Sequence, residues 1–448
     1  MPNAKPSLLL VLAATALAGC ASNPQRTGPV AQRAAAAMPA CSAAAPATSR
    51  RFVVEPFDSG LPTTGQWRDG FDVADMDGDG NLDIVHGPAR KSGGEPAIFR
   101  GDGAGHFTRW TEAHFPRLPY DYGDVKTGDF NGDGKPDIAL ASHLRGFVTL
   151  VNEGRGNFAP WGEGLKLYAP TEAVNTPILT SRAIAVTDWN GDGRADLLAL
   201  NEGPSRFVEN TVREALGLWI NRNGDWERVR PAQELQGFGD KLAIGDIDGD
   251  GHPDALAGTQ VTGMRLTLRQ GDGTGWRLRE LHAVPLDATV TAVALHDFDH
   301  DGRAEAVDGA RAVENEQFCI SLQHVIFTKD GGERWQVLFA EPSRDPFVAI
   351  VTGDFNRDGK DDIAAVRAEG GILLFAGGEH GFTRDNVIPP PADLAHCAAF
   401  DAKLVDLGKD KAPELVVSYA GDDDGSGGPQ FAGGGGFRTW KLHRWINL

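Results

Sequence analysis

A short acidic loop ahead of an apolar strand recurs seven times along this chain, and the repetition limits what the chain can fold into. The clearest copy, residues 75–83, reads DMDGDGNLD and runs into Ile84 and Val85. The first positions of successive copies lie 51 to 59 residues apart. A regular period of this size indicates a repeat architecture, in which each unit buries its apolar face against its neighbours.

The residue types in the loop indicate a calcium site. In six of the copies, positions one, three and five carry Asp or Asn, position six is Gly and position nine is an acid. Ca²⁺ takes six to eight oxygen ligands, and alternate residues of a tight turn aim their carboxylates at one centre. The last carboxylate comes at position nine and a β-prone run follows, so the loop is not an EF-hand. The alternative is that Asp and Gly simply form turns here.

Six loops are therefore expected to bind about six Ca²⁺ ions, with side chains at positions one, three, five and nine and the backbone carbonyl of the variable position seven. The predicted ligands are Asp75, Asp77, Asp79, Asn81, Asp83, Asp129, Asn131, Asp133, Lys135, Asp137, Asp188, Asn190, Asp192, Arg194, Asp196, Asp246, Asp248, Asp250, His252, Asp254, Asp297, Asp299, Asp301, Arg303, Glu305, Asp354, Asn356, Asp358, Lys360 and Asp362.

The seventh loop, which opens at Asp406, is degraded. Asp410 and Glu414 fall at ligand positions, but Gly408 stands at position three and Lys409 lies beside it. We expect this copy to be an empty structural turn.

The net charge of −19 lies largely in the acidic loops, where bound Ca²⁺ would balance it. The charge therefore says little about partners. A basic patch typical of nucleic-acid binding is absent from the sequence, so no nucleic-acid partner is expected.

The N-terminus is typical of an export signal. Lys5 precedes an apolar run over residues 8–17 that is too short to span a bilayer comfortably. The run ends in Leu-Ala-Gly-Cys, which resembles the lipobox of bacterial lipoproteins, and the alternative is an ordinary signal peptide with an accidental Cys. The resemblance implies a signal peptide over residues 1–19, lipidation of Cys20 and an envelope location, with Ala21 favouring the outer membrane. Residues 20–50, rich in Ala and Pro, are expected to be a flexible tether.

Each unit of residues 51–448 contains four short strands with Gly-rich turns and no helical periodicity, which predicts the blade of a β-propeller. With its acidic loops, the pattern closely resembles the FG-GAP/VCBS repeat family, related to the integrin α-subunit head. The resemblance implies a Ca²⁺ loop between the first and second strands of each blade. We predict an all-β, monomeric, seven-bladed propeller, closed by pairing the strand-like residues 51–57 with residues 437–442.

The residues just before each inner strand and just after each second strand should form the ligand face. The strongest candidates are His86, Arg90, Tyr122, His143 and Arg145, with two imidazoles and two guanidiniums for an anionic ligand and a phenol to stack on a sugar. The wider set adds Trp67, Arg68, Asp69, Lys91, Tyr120, Asp121, Arg182, Asn201, Glu202, Arg344, Asp345, Arg367 and Tyr419. Ordinary solvated loop residues are the alternative reading.

Two functions fit the sequence. One is a membrane-anchored binding or scaffolding module for a glycan, a cell-envelope component or a protein. The other is a polysaccharide lyase or hydrolase with His86 or His143 as its acid or base. We favour the first, because the sequence contains no catalytic motif such as Gly-x-Ser-x-Gly or His-Glu-x-x-His. The cysteines leave open a Cys319–Cys397 disulfide or two buried thiols.

Overall fold

The computed structural model describes residue 41 and residues 52–90, 94–169, 179–203, 214–230, 237–260, 264–270, 273, 275–281, 288–314, 317–329, 331–394, 396–407, 413–421 and 435–444. Several predictions concern residues outside these ranges: the signal segment, Cys20, Lys91, Asp410, and all of the tether except Cys41. The described chain is all-β apart from one 3₁₀ helix, Ala392–Leu394. Within it, no helix has the length and apolar character needed to cross a membrane.

Twenty-nine strands, described in chain order, form seven antiparallel sheets within the described residues. The first strand is β1 (Phe52–Phe57). Blade one contains β2 (Phe71–Ala74), β3 (Asp83–His86), β4 (Ala97–Gly101) and β5 (Phe107–Arg109), and blade two contains β6 (Val125–Gly128), β7 (Asp137–Ser142), β8 (Gly146–Gly154), β9 (Asn157–Pro160) and β10 (Lys166–Leu167). Blade three contains β11 (Ser181–Thr187), β12 (Asp196–Asn201), β13 (Leu216–Asn221) and β14 (Trp226–Val229). Blades four to seven contain β15 (Gly239–Gly245), β16 (Asp254–Thr259), β17 (Met264–Gln270), β18 (Gly275–Glu280); β19 (Thr289–His296), β20 (Glu305–Glu314), β21 (Gln317–Phe327), β22 (Glu333–Pro342); β23 (Phe347–Gly353), β24 (Asp362–Arg367), β25 (Ile372–Ala376), β26 (Thr383–Ile388); and β27 (Ala398–Val405), β28 (Glu414–Ala420), β29 (Gly436–Arg444).

The predicted closure of the ring is confirmed. β1 pairs with β29 in antiparallel register, from Phe52 opposite Arg444 to Phe57 opposite Thr439, and completes the sheet of blade seven. The first strand of the fold thus supplies the outer strand of the last blade. This pairing covers the edge that β29 would otherwise expose.

The core consists of seven apolar clusters, each lying between two neighbouring blades. The second strand of a blade packs against both neighbours, which explains why its residues form a continuous apolar run. All six residues of β7, β12 and β16 are buried. The cluster containing Phe71, Val416 and Phe437 joins blade one to blade seven and so closes the ring.

The cysteines pair differently from the bridge considered from the sequence. Cys319 in β21 forms a disulfide with Cys41, 278 residues away in the chain. A Cys319–Cys397 bridge is therefore wrong, and so is a pair of buried thiols. Cys397 is a buried thiol whose Sγ accepts a hydrogen bond from Gly435 N–H at 3.2 Å.

Candidate functional site

The acidic loops all lie at one end of the inner strands, and their first carboxylate organises the turn. Asp75 accepts hydrogen bonds from the N–H groups of Gly78 (2.9 Å), Asp79 (3.1 Å) and Gly80 (2.8 Å). Gly80 has a φ of +86°, a conformation that glycine adopts without strain. Asp129 and Asp188 bind the corresponding N–H groups of their own loops.

The ninth acid is buried and connects its loop to the second and third strands of the blade. Asp83 Oδ2 accepts a hydrogen bond from Met76 N–H at 2.8 Å, and its Oδ1 accepts one from Gly101 N–H at 2.9 Å. Burial raises the pKa of Asp83 to about 6 and that of Glu305 to about 7. The ninth position therefore has a structural role besides any contact with a metal.

The loop residues form an oxygen-donor set suited to a hard cation. Among the described residues, carboxylate oxygens lie within 4.8 Å of one another in three loops, in the sets Asp75, Asp77, Asp83; Asp246, Asp248, Asp250; and Asp297, Asp299, Asp301. Position seven donates its N–H to the carboxylate of position five, as from His252 to Asp250 at 2.9 Å. This arrangement fits Ca²⁺, which prefers carboxylate and carbonyl oxygens.

A second cluster of polar residues lies at the opposite end of the inner strands, around Tyr122. The Tyr122 ring stacks on the His143 imidazole, with 4.7 Å between ring centroids. The guanidinium carbons of Arg68 and Arg90 each lie 5.5 Å from the centroid of the Tyr122 ring. Burial, and then the neighbouring Arg90, lower the pKa of Arg68. Two cations thus share one partly dehydrated site.

Arg182 connects this cluster to the third and fourth blades. Its Nη2 donates to Asp240 Oδ1 at 2.8 Å, and its Nε lies 3.2 Å from Glu202 Oε2. Glu202 Oε2 also lies 2.6 Å from His143 Nδ1. Burial raises the pKa of Asp69, 3.9 Å from Arg182 Nη1, to about 6. The result is a chain of charged contacts across the mouth of the central channel.

The channel itself holds a cavity of about 490 Å³ with charged walls. Carboxylates on or directly before inner strands reach the next blade. Asp72 Oδ2 accepts a hydrogen bond from Thr127 N–H at 2.7 Å, and Asp124 Oδ2, in the cavity wall, accepts one from Ile184 N–H at 3.1 Å. Asp72, Asp124 and Asp240 are not among the candidates predicted from the sequence. Their signal is a charged side chain within or directly before a short inner strand.

Two of the strongest sequence candidates need correction. His86 is 0% exposed, because its ring packs against those of Trp67 and Phe437, and burial lowers its pKa to about 4. It does not line an accessible ligand face. Tyr122 is only 7% exposed, because His143 and the two arginines cover its ring, so it offers little surface for stacking on a sugar.

The remaining candidates are distributed unevenly. Arg90 and His143 lie in the cluster around Tyr122, together with Arg68, Asp69, Arg182 and Glu202 of the wider set. Arg145 is half-buried just after β7, and its carbonyl accepts a hydrogen bond from Tyr168 N–H at 2.8 Å. Tyr419 is fully buried in β28, and Arg367 of blade six pairs with Glu341 of blade five at 2.8 Å.

Comparison with known proteins agrees with this architecture. Residues 89–140, 188–257 and 246–307 match the model of the FG-GAP-like repeat, and each matched segment contains at least one complete acidic loop. The chain therefore contains FG-GAP-like repeats over these residues. A curated relative, integrin alpha-6 of Gallus gallus, is 30% identical over 89 residues, which is 18% of this chain. The match spans 8% of the length of that relative.

Proposed function

We propose that this protein is a calcium-stabilised binding or scaffolding module, held at the bacterial cell envelope by a lipid on Cys20. The acidic loops bind about six Ca²⁺ ions, which stabilise the ring. The opposite face binds an anionic ligand, either a glycan, another envelope component or an acidic protein surface. The lipobox-like sequence supports the anchor, and the acidic oxygen sets of three loops support the calcium sites.

The environment of Arg68 supports the ligand class. Its guanidinium is half-buried beside that of Arg90, and no carboxylate of a described residue lies within 4.0 Å of it. Burial and the nearby Arg90 both disfavour the charged form of Arg68, and Asp69 offsets only part of this, so an anionic ligand would be favourable here. Arg binds carboxylate, sulfate or phosphate through two parallel hydrogen bonds, so this pair favours an anionic group.

Binding to an array of acidic and neutral glycans tests this role. We expect calcium-loaded protein to bind acidic glycans and the double variant Arg68→Ala, Arg90→Ala to lose at least about tenfold in affinity, as loss of charge-assisted hydrogen bonds predicts. Arg334→Ala is the matched control, since Arg334 is exposed in the outer strand of blade five and paired with Ile326. Equal binding by the double variant would place the site elsewhere.

One observation favours the enzymatic alternative as a second candidate. His143 is held through Nδ1 by Glu202 at 2.6 Å, which leaves Nε2 to act as a base. In a uronate lyase, Arg68 and Arg90 would neutralise the substrate carboxylate while His143 removed the adjacent proton. Formation of unsaturated sugar products from acidic polysaccharides, abolished by His143→Ala, would establish this activity. Absence of products from a broad panel would leave the binding role.

A further inference from the structure

Three departures from the repeat meet at the seam between blades five and six. The residue before the first Asp of the loop is small in four copies (Ala74, Gly128, Gly245, Gly353) and Thr187 in another, but it is His296 in blade five. The fourth loop position is Gly in the first four copies and His300 in blade five. The eighth position is apolar in the other six copies, whereas blade six has Asp361. These residues carry side chains that ligate metals.

The fold brings the three side chains together. His296 Nε2 lies 3.0 Å from Asp361 Oδ2, and His300 Nε2 lies 3.6 Å from the same oxygen. The side chain of His296 is 31% exposed, that of His300 is 71% exposed and that of Asp361 is 13% exposed. The cluster is therefore open to solutes on one side. The neighbouring Asp297 carboxylate adds negative charge beside His296, which favours a cation.

Packing and backbone geometry hold the two imidazoles at the seam. The His296 ring lies 4.8 Å from that of Phe298, which packs in turn against Phe382 of blade six at 5.0 Å. His300 has a φ of +57°, where the first four acidic loops have a Gly of positive φ and the loop of blade six has Arg357, also at +57°. A non-glycine residue in this conformation costs on the order of 1–2 kcal/mol. The chain tolerates that cost in placing an imidazole here.

We propose that His296, His300 and Asp361 form a transition-metal site, best suited to Zn²⁺, that joins blades five and six beside the acidic loops. Two imidazoles and one carboxylate suit Zn²⁺, whereas Ca²⁺ prefers oxygen donors alone. Metal–ligand bonds of about 2.0–2.2 Å in a tetrahedron separate neighbouring donor atoms by roughly 3.3–3.6 Å. The separations of His296 Nε2 and His300 Nε2 from Asp361 Oδ2, 3.0 and 3.6 Å, lie close to this range. The Nε2 atoms of the two histidines do not lie within 4.8 Å of each other, so one ring must turn for both to bind the same ion. Water fills the fourth position, and rotation of the exposed His300 ring completes the set.

Zn²⁺ binding to untagged protein saturated with Ca²⁺ tests the site, because calcium then occupies the acidic loops. Equilibrium dialysis at neutral pH should show one bound Zn²⁺ per chain, and Co²⁺ in its place should give the visible absorption of a tetrahedral site. We expect His296→Ala and Asp361→Asn each to weaken Zn²⁺ binding by at least about tenfold. His106→Ala, which removes an exposed histidine from a turn of blade one, should bind as the parent does.

Failure to bind Zn²⁺ in the presence of Ca²⁺ would overturn the proposal, and so would binding that survives in all the site variants. If the His296 or Asp361 variant does not unfold cooperatively, Zn²⁺ binding by His300→Ala tests the site instead. The His300 side chain is 71% exposed, so its removal should have little effect on packing. Zn²⁺ should also raise the melting temperature of the parent but not that of His300→Ala. An equal rise in both would mean adventitious surface binding and would contradict the site.

Discussion

Leu407 N–H donates a hydrogen bond to Glu414 Oε2 at 2.9 Å in the degraded seventh loop. The six acidic loops contain the same bond between positions two and nine, as from Phe130 N–H to Asp137 Oδ2 at 2.9 Å. Glu414 is fully buried, and its Oε1 lies 3.3 Å from Lys441 Nζ. The seventh copy thus retains the bond that anchors the loop to the sheet, although it has lost Asp at position three.

The retained bond predicts that the ninth acid stabilises the fold without metal. Glu414→Ala should lower the free energy of unfolding by about 1–3 kcal/mol, the cost of leaving a buried donor unsatisfied. Because no metal is expected in this loop, the loss should be the same in calcium and in chelator. Glu414→Gln, which keeps an acceptor oxygen, should lose less. Denaturant titrations in both buffers check this, and a loss confined to calcium buffer would show that the seventh loop binds metal.

Because β1 closes the ring, truncation of its first residue, Phe52, should lower the stability of the fold strongly. Phe52 is fully buried in the cluster between blades six and seven. Phe52→Ala should cost about 3–5 kcal/mol, because it leaves a cavity at the joining strand. Val387→Ala is the control, since Val387 is 45% exposed in the neighbouring blade and should change stability little. Thermal unfolding of both variants checks this, and removal of residues 52–57 with no change in melting would contradict the closure.

The seven blades and their closure could be predicted because their signals are local in sequence. An acidic loop, a continuous apolar run and a Gly-rich turn recur in each unit, and the strand at residues 52–57 lacks a blade of its own. The candidate site was less predictable. His86 and His143 follow second strands in the same way, but Phe437 and Trp67 bury His86, and Phe437 comes from 351 residues farther along the chain.

Buried carboxylates predict a dependence of stability on pH. Burial raises the pKa of Asp308 to about 8, and no described residue donates a hydrogen bond to either of its oxygens. Between its unfolded pKa of about 3.9 and this value, the folded state binds more protons than the unfolded state. The free energy of unfolding should therefore fall as pH rises through that window. Asp308→Asn should remove this dependence and stabilise the protein at pH 8, as urea titrations across the range would show. A steeper fall in the variant would contradict the assignment.

The disulfide predicts a specific pattern of thiols. A non-reducing digest should yield one peptide pair linked through Cys41 and Cys319, and Cys397 should react with an alkylating reagent only after unfolding. The bridge closes a long loop, so Cys41→Ser should lower stability by up to about 4 kcal/mol. Peptide mass spectrometry with and without reductant checks this. A Cys319–Cys397 pair would contradict the observed connection.

We propose that six acidic loops bind calcium and that calcium stabilises the ring. Thermal unfolding in excess Ca²⁺ and in excess chelator, together with a count of bound ions, tests this proposal most directly. Each loop concentrates carboxylates that repel one another without a cation. At a hundredfold excess over its dissociation constant, each ion should contribute about 2.7 kcal/mol. We predict about six bound Ca²⁺ ions, a much lower melting temperature in chelator, and a smaller calcium effect in Asp79→Ala but not in Asp410→Ala. An unchanged melting curve in excess chelator would contradict the calcium sites.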